Sequence, residues 1–273
     1  MAYADLHIHS CFSDGTMSPA EILEEAVQKN IKVLSITDHD VLQGTKQLIS
    51  LCGNTEVRCI SGVELNAVEN GVNYHILGYG FHIDDAAFNQ RVAGNRQLLE
   101  EVNIKLIEKM LPDYPDISME EYQSYSYPRE AGGWKALHYF MHKGITHNLN
   151  DGFSVYAEYD HTYTCVNFPD IKTVCRWIHE AGGHAILAHP GKVIKYDDIT
   201  EFEQQVCRLL DLNLDGIECY YPSHTKQIEN ICLRICRERG LIVTSGSDCH
   251  GTFQDTSVGQ LLTPVELLNI ARL

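Results

Sequence analysis

The sequence predicts an α/β fold, a parallel sheet or β/α barrel interrupted by a mainly helical insertion. Three observations carry this. About seven short apolar stretches of strand type alternate with helical stretches, and such alternation makes parallel sheets. The rhythm stops near residue 84 and resumes near 165, with polar, helix-type sequence between. Histidines and acids stand at or just past the C-terminal ends of the strands, the face on which β/α barrels build their sites.

The elements follow in order. A strand over 4–9 opens the chain. Ser18-Pro19-Ala20-Glu21 has capping-box spacing with proline at the first helical position, so a helix is expected to about Asn30, its apolar stripe made by Ile22, Leu23, Ala26 and Val27. Strand two is expected over 32–37, a helix over 41–51, strand three over 57–64 and strand four over 73–79. In 84–164, Leu98, Leu99, Val102, Leu106 and Met110 recur at helical spacing, tyrosines and prolines crowd 113–128, and a second helix is expected over 134–143. This segment is read as an insertion between barrel parts 1–83 and 165–273. The rhythm then returns: helix 171–180, strand 185–188, helix 202–210, strand 216–220, a helix 225–239 closed by Gly240, and strand 241–244. No internal repeat or low-complexity tract is visible.

Composition narrows the function classes. The 273 residues are 44% hydrophobic and 21% charged, the profile of a soluble globular protein. No apolar run is long enough to span a membrane. The N-terminal residues have no secretory pattern, so a cytoplasmic location is expected. The ten cysteines include no C-x-x-C pair, and buried free thiols are expected. Cys249 is read as a bystander between two candidate ligands. The net charge of −16 argues against gripping a long nucleic acid and fits a small substrate whose phosphate is neutralised by metal. No membrane partner is expected, and the oligomeric state is left open.

The chemistry-bearing residues are spread along the chain. His7 and His9 are two apart, so on one strand their imidazoles share a face. His39 follows strand two, Glu64 ends strand three, and His75 lies in strand four. His189 ends the 185–188 strand, and Asp248 and His250, again two apart, follow the last strand. Imidazoles with carboxylates suit zinc, manganese or iron. So many ligands suit two or three divalent ions, with a carboxylate such as Glu64 bridging. A histidine such as His75, taken singly, reads more readily as part of the core than as a ligand; the set read jointly points to metal. His224 and Thr225 begin a helix, where an anion is attracted, so His224 is a candidate phosphate contact or proton donor.

On Asp5-Leu6-His7-Ile8-His9, Ser13-Asp14-Gly15, Thr37-Asp38-His39, Gly62-Val63-Glu64, His75, Ala188-His189-Pro190 and Gly246-Ser247-Asp248-Cys249-His250, the chain resembles the PHP (polymerase and histidinol phosphatase) domain family. The resemblance implies a distorted (β/α)7, TIM-like barrel with a trinuclear site. It implies one metal on His7, His9, Glu64 and Asp248. A second is shared through Glu64 with His75 and His189, and a third lies on Asp14, His39 and His250. The H-x-H-x-x-x-S-D-G form is similar to the branch of small nucleotide phosphatases and short-RNA exonucleases, which carries a helical insert. That branch usually offers a G-R-P-H-like stretch for the substrate phosphate. Here the stretch is Gly132-Gly133-Trp134-Lys135, so Lys135 is the candidate charge and Trp134 the candidate stacking face. Trp134 reads equally as a core aromatic of the insert.

The expected reaction is hydrolysis of a phosphate ester by a metal-activated hydroxide, with His224, Asp14 and His39 in the catalytic set. The expected substrate is a small phosphorylated metabolite or nucleotide. Histidinol phosphate and short oligonucleotides are the alternatives. Two other classes compete: a non-catalytic metal module, which should have lost ligands, and an amidohydrolase, disfavoured by the Asp-x-His pair and the lack of a suitable strand lysine.

Overall fold

Capping chemistry places the helix starts. In the computed structural model, which describes residues 2–53 and 55–273, Ser18 and Glu21 close a reciprocal capping box on α1 (Pro19–Gln28). That helix lies between β1 (Tyr3–Asp5) and β2 (Ile31–Leu34). There follow α2 (Gln43–Cys52), β3 (Arg58–Cys59), β4 (Gly62–Glu69) and β5 (Val72–Tyr79). Helices α3 (Ala86–Met110), α4 (Met119–Ser124), α5 (Lys135–His142) and α6 (Gly152–Glu158) fill the middle. The chain then continues through α7 (Ile171–Glu180), β6 (His184–Leu187), α8 (Pro190–Val193), α9 (Ile199–Leu210), β7 (Gly216–Tyr220), α10 (Lys226–Arg239), β8 (Ile242–Ser245) and β9 (Thr263–Pro264). Thr225 caps α10, and Gly240, left-handed at φ 67°, ends it as the sequence predicts.

The strands form two sheets, in the orders β3-β2-β1-β9 and β4-β5-β6-β7-β8. The class is α/β as expected, but the ladders do not close into one barrel. Single bridges, Ile8 to Cys249 and His39 to Glu64, link the sheets instead. Nor are the sheets wholly parallel: β4 pairs antiparallel with β5, β5 with β6, and β1 with β9. The cause of the first is local. Asn70 and Gly71 both take positive φ, 49° and 81°, and make the two-residue hairpin loop that this dipeptide favours. The expected strand 57–64 splits into β3 and β4, one in each sheet. The expected strand over 4–9 ends at Asp5, and His7 and His9 lie beyond it.

One apolar core packs α7, α9 and α10 on the β4–β8 sheet through residues such as Ile76, Ile178, Phe202 and Ile235. A second lies between α1, α2 and the first sheet, around Ile22, Leu34 and Leu48. Among the described residues, 86–158 hold four α-helices, a short 3-10 turn at Arg129–Ala131, and no strand. They carry an apolar cluster of their own, including Leu106, Met110, Tyr139 and Phe140. Cys52 and Cys59 form a disulfide, a correction to the expectation of free thiols. The last residue of α2 and the second of β3 lie with Cα atoms 6.2 Å apart across a short connection, within bridging range. The other eight cysteines are free. No helix of the described residues is long and apolar enough to cross a membrane.

Candidate metal centre

The site forms where the two sheets meet. After β1 the chain stays extended and pairs with the segment past β8: His9 N–H donates to Cys249 O at 2.9 Å and Asp248 N–H to His7 O at 2.8 Å. Alternation then does the sorting. Leu6 and Ile8 are fully buried in the apolar cores, while His7 and His9 turn inward to the site. Cys249 likewise turns away, its thiol donating to Thr256 O, and burial pushes that thiol up to about 11. Three non-glycine residues at the site hold positive φ: Asp40 at 50°, His189 at 27° and Asp248 at 52°. Each costs about 1–3 kcal/mol, and surrounding structure must hold it.

The predicted ligands converge on Glu64. His7 Nε2 and His9 Nε2 are 3.1 Å apart. Each lies 3.2 Å from Glu64 Oε2, and Asp248 Oδ1 is 3.4 and 3.1 Å from them. On the other side, His75 Nδ1 and His189 Nε2 approach Glu64 Oε1 at 2.8 and 3.0 Å. His39 Nδ1 stands 3.3 Å from Glu64 Oε2. Asp14 lies 3.7 Å from His9 Nδ1 and 3.3 Å from His250 Nε2. The His9 ring stacks on those of His39 and His250, at 4.4 and 4.1 Å between centroids.

Three groups of potential ligand atoms result, each within 4.8 Å: His7, His9, Glu64 and Asp248; His9, Asp14, His39 and His250; and His39, Glu64 and His75. The first grouping matches the sequence expectation. The others differ from it in that His9 and His39 each belong to two groups. His189 contacts Glu64 directly but stands outside the three.

The donor set fits divalent cations. Bonds of about 2.1 Å put ligand atoms about 3.0–3.4 Å apart in octahedral or tetrahedral shells, the spacing found here. Among the described residues, buried His9 Nδ1, Asp14 Oδ1, His39 Nδ1, His75 Nδ1 and His189 Nδ1 have no hydrogen-bond partner. Buried polar atoms rarely stay unsatisfied without a reason.

Electrostatics sorts the ligands. Burial outweighs the pull of Glu64 and holds His39 well below the ordinary imidazole range and His189 down to about 4, which favours neutral nitrogens at both. Burial also opposes charge on His7 and His9. Glu218, Glu64 and Asp248 outweigh it at His7, and hydrogen bonds to Asp248 and Glu64 lift His9 to about 10. Burial raises Glu64 and Asp248, but the neighbouring histidines, His7 foremost, pull both well below the carboxylate range. Asp14 is drawn down against burial by His250 and His39.

Further residues shape the site that sequence reasoning did not assign. Glu218 is fully buried and grips His7 through one oxygen and the His189 N–H through the other. Its signal was a charged residue inside the apolar run Gly-Ile-Glu-Cys-Tyr. Asp38 accepts from Ser10 and Ser13, and Asp5 from Ser247 and Gly259, bracing the loops. Lys192 Nζ and Tyr221 OH both donate to Asp248 Oδ2, at 2.9 and 2.7 Å.

A cavity of about 250 Å³ opens over the ligands, walled by Trp134, Tyr163 and Phe153, and Lys192 is the one lysine or arginine lining it among the described residues. Trp134 lines this cavity, its ring 5.6 Å from that of His39. The loop before it needs glycine. Gly132 sits at φ 67°, a Cβ there would press within 2.7 Å of Thr16, and the next N–H donates to Asp14 O. Lys135 does not reach this cavity; its ammonium donates to Gln123 O and lies 4.9 Å over Tyr122. His224 also departs from expectation. Nδ1 donates to Cys219 O and Nε2 accepts the Gly191 N–H, so backbone occupies both nitrogens and no proton is free to give.

Known proteins resemble this chain. A phosphoribosyl 1,2-cyclic phosphate 1,2-diphosphodiesterase of Eggerthella lenta is 26% identical, over 91% of this chain and 94% of its own. A 3',5'-nucleoside bisphosphate phosphatase of Chromobacterium violaceum is 27% identical, over 92% and 88%. A solved structure from Bifidobacterium adolescentis, assigned as a metal-dependent phosphoesterase, superposes with a TM-score of 0.78 at 22% identity, over 98% and 94%, which establishes the common fold. The family model of the PHP domain matches residues 5–213, and the chain belongs to the PHP domain family.

Proposed function

We propose that this protein hydrolyses phosphate esters of a small phosphorylated metabolite or nucleotide, using two or three divalent ions, Mn, Fe or Zn. The gathering of nine ligand-type side chains, five of them imidazoles within 3.3 Å of Glu64, beneath a cavity that also presents an ammonium, carries the proposal. The names of relatives that share most of its length, a diphosphodiesterase and a bisphosphate phosphatase, support it.

His7, His9, Glu64 and Asp248 would hold one ion; His9, Asp14, His39 and His250 another; and Glu64, His75 and His189, with His39, a third. Bound divalent ions supply Lewis acidity toward phosphoryl oxygens and a nucleophile at neutral pH. The remaining work falls to the chain. Lys192 faces the cavity and offers a positive charge to a phosphoryl oxygen. Tyr221 shares its carboxylate partner and keeps Asp248 oriented. Trp134 and Tyr163 wall the cavity and limit the water around the reacting group. We read the two sheets as parts of a distorted (β/α)7 barrel, 1–83 and 165–273, and residues 84–164 as a helical cap. Eight free thiols against one disulfide, Cys52–Cys59, favour a reducing compartment, the cytoplasm.

The test is phosphate release by metal-loaded protein over mononucleotides, nucleoside bisphosphates, histidinol phosphate and 5'-phosphorylated short RNA. Release from at least one, abolished by chelation and by Asp248→Asn, is the expected result. No release from any of them, and no RNA cleavage, sinks the proposal.

A further inference from the structure

A chain of side-chain amides runs from a buried carboxylate to His75. Asn66 on β4 pairs with His75 on β5, and Asn73, two residues before His75, shares its face of the strand. Asp40 is buried, holds positive φ and donates its backbone N–H to Glu64 O at 2.9 Å. Its carboxylate accepts three donors. Asn66 N–H reaches Oδ1 at 3.1 Å, the Asn66 amide reaches Oδ2, and the Asn95 amide, from α3, reaches Oδ1 at 2.7 Å.

The polarity of the chain follows from that carboxylate. It can only accept, so Asn66 turns Nδ2 toward Asp40 and Oδ1 away from it. Oδ1 then takes a hydrogen of Asn73 Nδ2 at 2.9 Å, and the same nitrogen faces His75 Nε2 at 3.2 Å with its other hydrogen. Nε2 therefore meets a donor and presents its lone pair. The proton of the neutral ring is left on Nδ1. Reversing either amide would set oxygen against oxygen, at Asp40 or between the two asparagines.

Nδ1 is the atom the metal site needs. It lies 2.8 Å from Glu64 Oε1, in the ligand group His39, Glu64 and His75, and among the described residues it has no hydrogen-bond partner. To present a lone pair to an ion, the ring must carry its proton on Nε2, which faces a donor. Ligating histidines ordinarily donate from the far nitrogen to an oxygen, and that bond strengthens their hold on the metal. Here the oxygen that could accept, Asn73 Oδ1, is buried without a partner among the described residues.

We infer that Asp40 and Asn73 are positioning residues that work against one ion. Through Asn66 they hold His75 in the Nδ1–H tautomer, so the ion shared by Glu64 and His75 is the last to bind and the first to leave. The inference rests on the metal reading of the proposed function and deepens it, dividing the cluster into a firmly held part and an exchangeable one.

The experiment has two arms. In the first, nitrogen-15 NMR of chelated protein at pH 8 reads which ring nitrogen of His75 carries the proton, with His75→Gln identifying its signals. Nδ1–H is expected in the wild type. Asp40→Asn can offer Nδ2 to Asn66 Oδ1, which lets both amides reverse, and a shift to Nε2–H is expected there. Nε2–H in the wild type overturns the inference.

In the second arm, manganese is titrated in competition with a chelator of known affinity. The step that His75→Gln abolishes should be the weakest in the wild type. Asp40→Asn and Asn73→Ala should both tighten it, by about tenfold. The sign is diagnostic, because loss of a nearby negative charge or of a supporting side chain would by itself loosen a cation. Asn73→Ala changes no charge and decides the matter if Asp40→Asn does not fold. An ion held no more tightly in the variants, or more weakly, overturns the inference. If no manganese binds at all, the metal reading fails, and the NMR arm still decides the tautomer.

Discussion

Glu218 Oε1 accepts a hydrogen bond from His7 Nδ1 at 2.9 Å, deep below the ligands, and so turns His7 Nε2 toward Glu64 and Asp248. The second oxygen of Glu218 takes the N–H of His189 at 2.8 Å. One buried carboxylate thus sets a ring orientation on one side of the site and a strained backbone on the other.

Carboxylates that orient a ligating imidazole typically support metal affinity by about 10–100-fold. Glu218→Gln is therefore expected to weaken binding of manganese or zinc within that range, with the fold retained. Competition against a chelator of known affinity measures it. Affinity equal to wild type would show that His7 needs no such support.

Gly246 passes directly under His7. A Cβ at this position would fall inside the envelope of His7 Cβ and 2.7 Å from Glu218 Oε1. Gly246→Ala is expected to cost on the order of 1–3 kcal/mol of stability through overpacking. It should also lower the metal content, because His7 is the group displaced. Elemental analysis beside urea unfolding reads both; full occupancy at wild-type stability would contradict the geometry.

Lys192 donates to Asp248 yet still faces the cavity. If it meets the phosphoryl group, Lys192→Met should lower kcat/KM by about 10–100-fold, and Lys192→Arg by less. Inhibition by inorganic phosphate should weaken in parallel. Loss of activity with unchanged phosphate inhibition would instead make Lys192 a brace for Asp248.

His161 gives the acid response of the helical segment. It is buried, one nitrogen engaged with Val102 O and the other without a partner among the described residues, and burial lowers its pKa below 6.5. The folded protein thus refuses a proton that the unfolded chain accepts near pH 6.5. Its contribution is present above that pH and is lost as pH falls below it. Urea unfolding of wild type and His161→Gln at pH 7.5 and 5.5 should show the wild-type advantage shrinking at the lower pH. An advantage that grows there would reverse the assigned sign.

Much of the site was legible because its signals are local. An H-x-H pair, a D-x-H pair and single ligands after apolar runs can be read without knowing which strands meet. The helix cap at Ser18 and the stop at Gly240 were equally local. Strand direction was not, because apolar alternation is the same in parallel and antiparallel ladders; only the Asn70-Gly71 loop announced the β4–β5 hairpin. His224 misled because a helix start attracts either an anion or a backbone contact, and the Gly191 N–H and Cys219 O had already taken its ring.

By itself the sequence determined which residues are available as ligands and at what intervals they leave the strands, since residue type and two-residue periodicity belong to the chain alone. Only the tertiary structure decided that His9 and His39 each serve two groups, that Glu218 and Lys192 join the site, and that Lys135 stays outside it. Those outcomes depend on how two sheets meet and on what remains in reach once they do, and such distances between remote segments are set by packing.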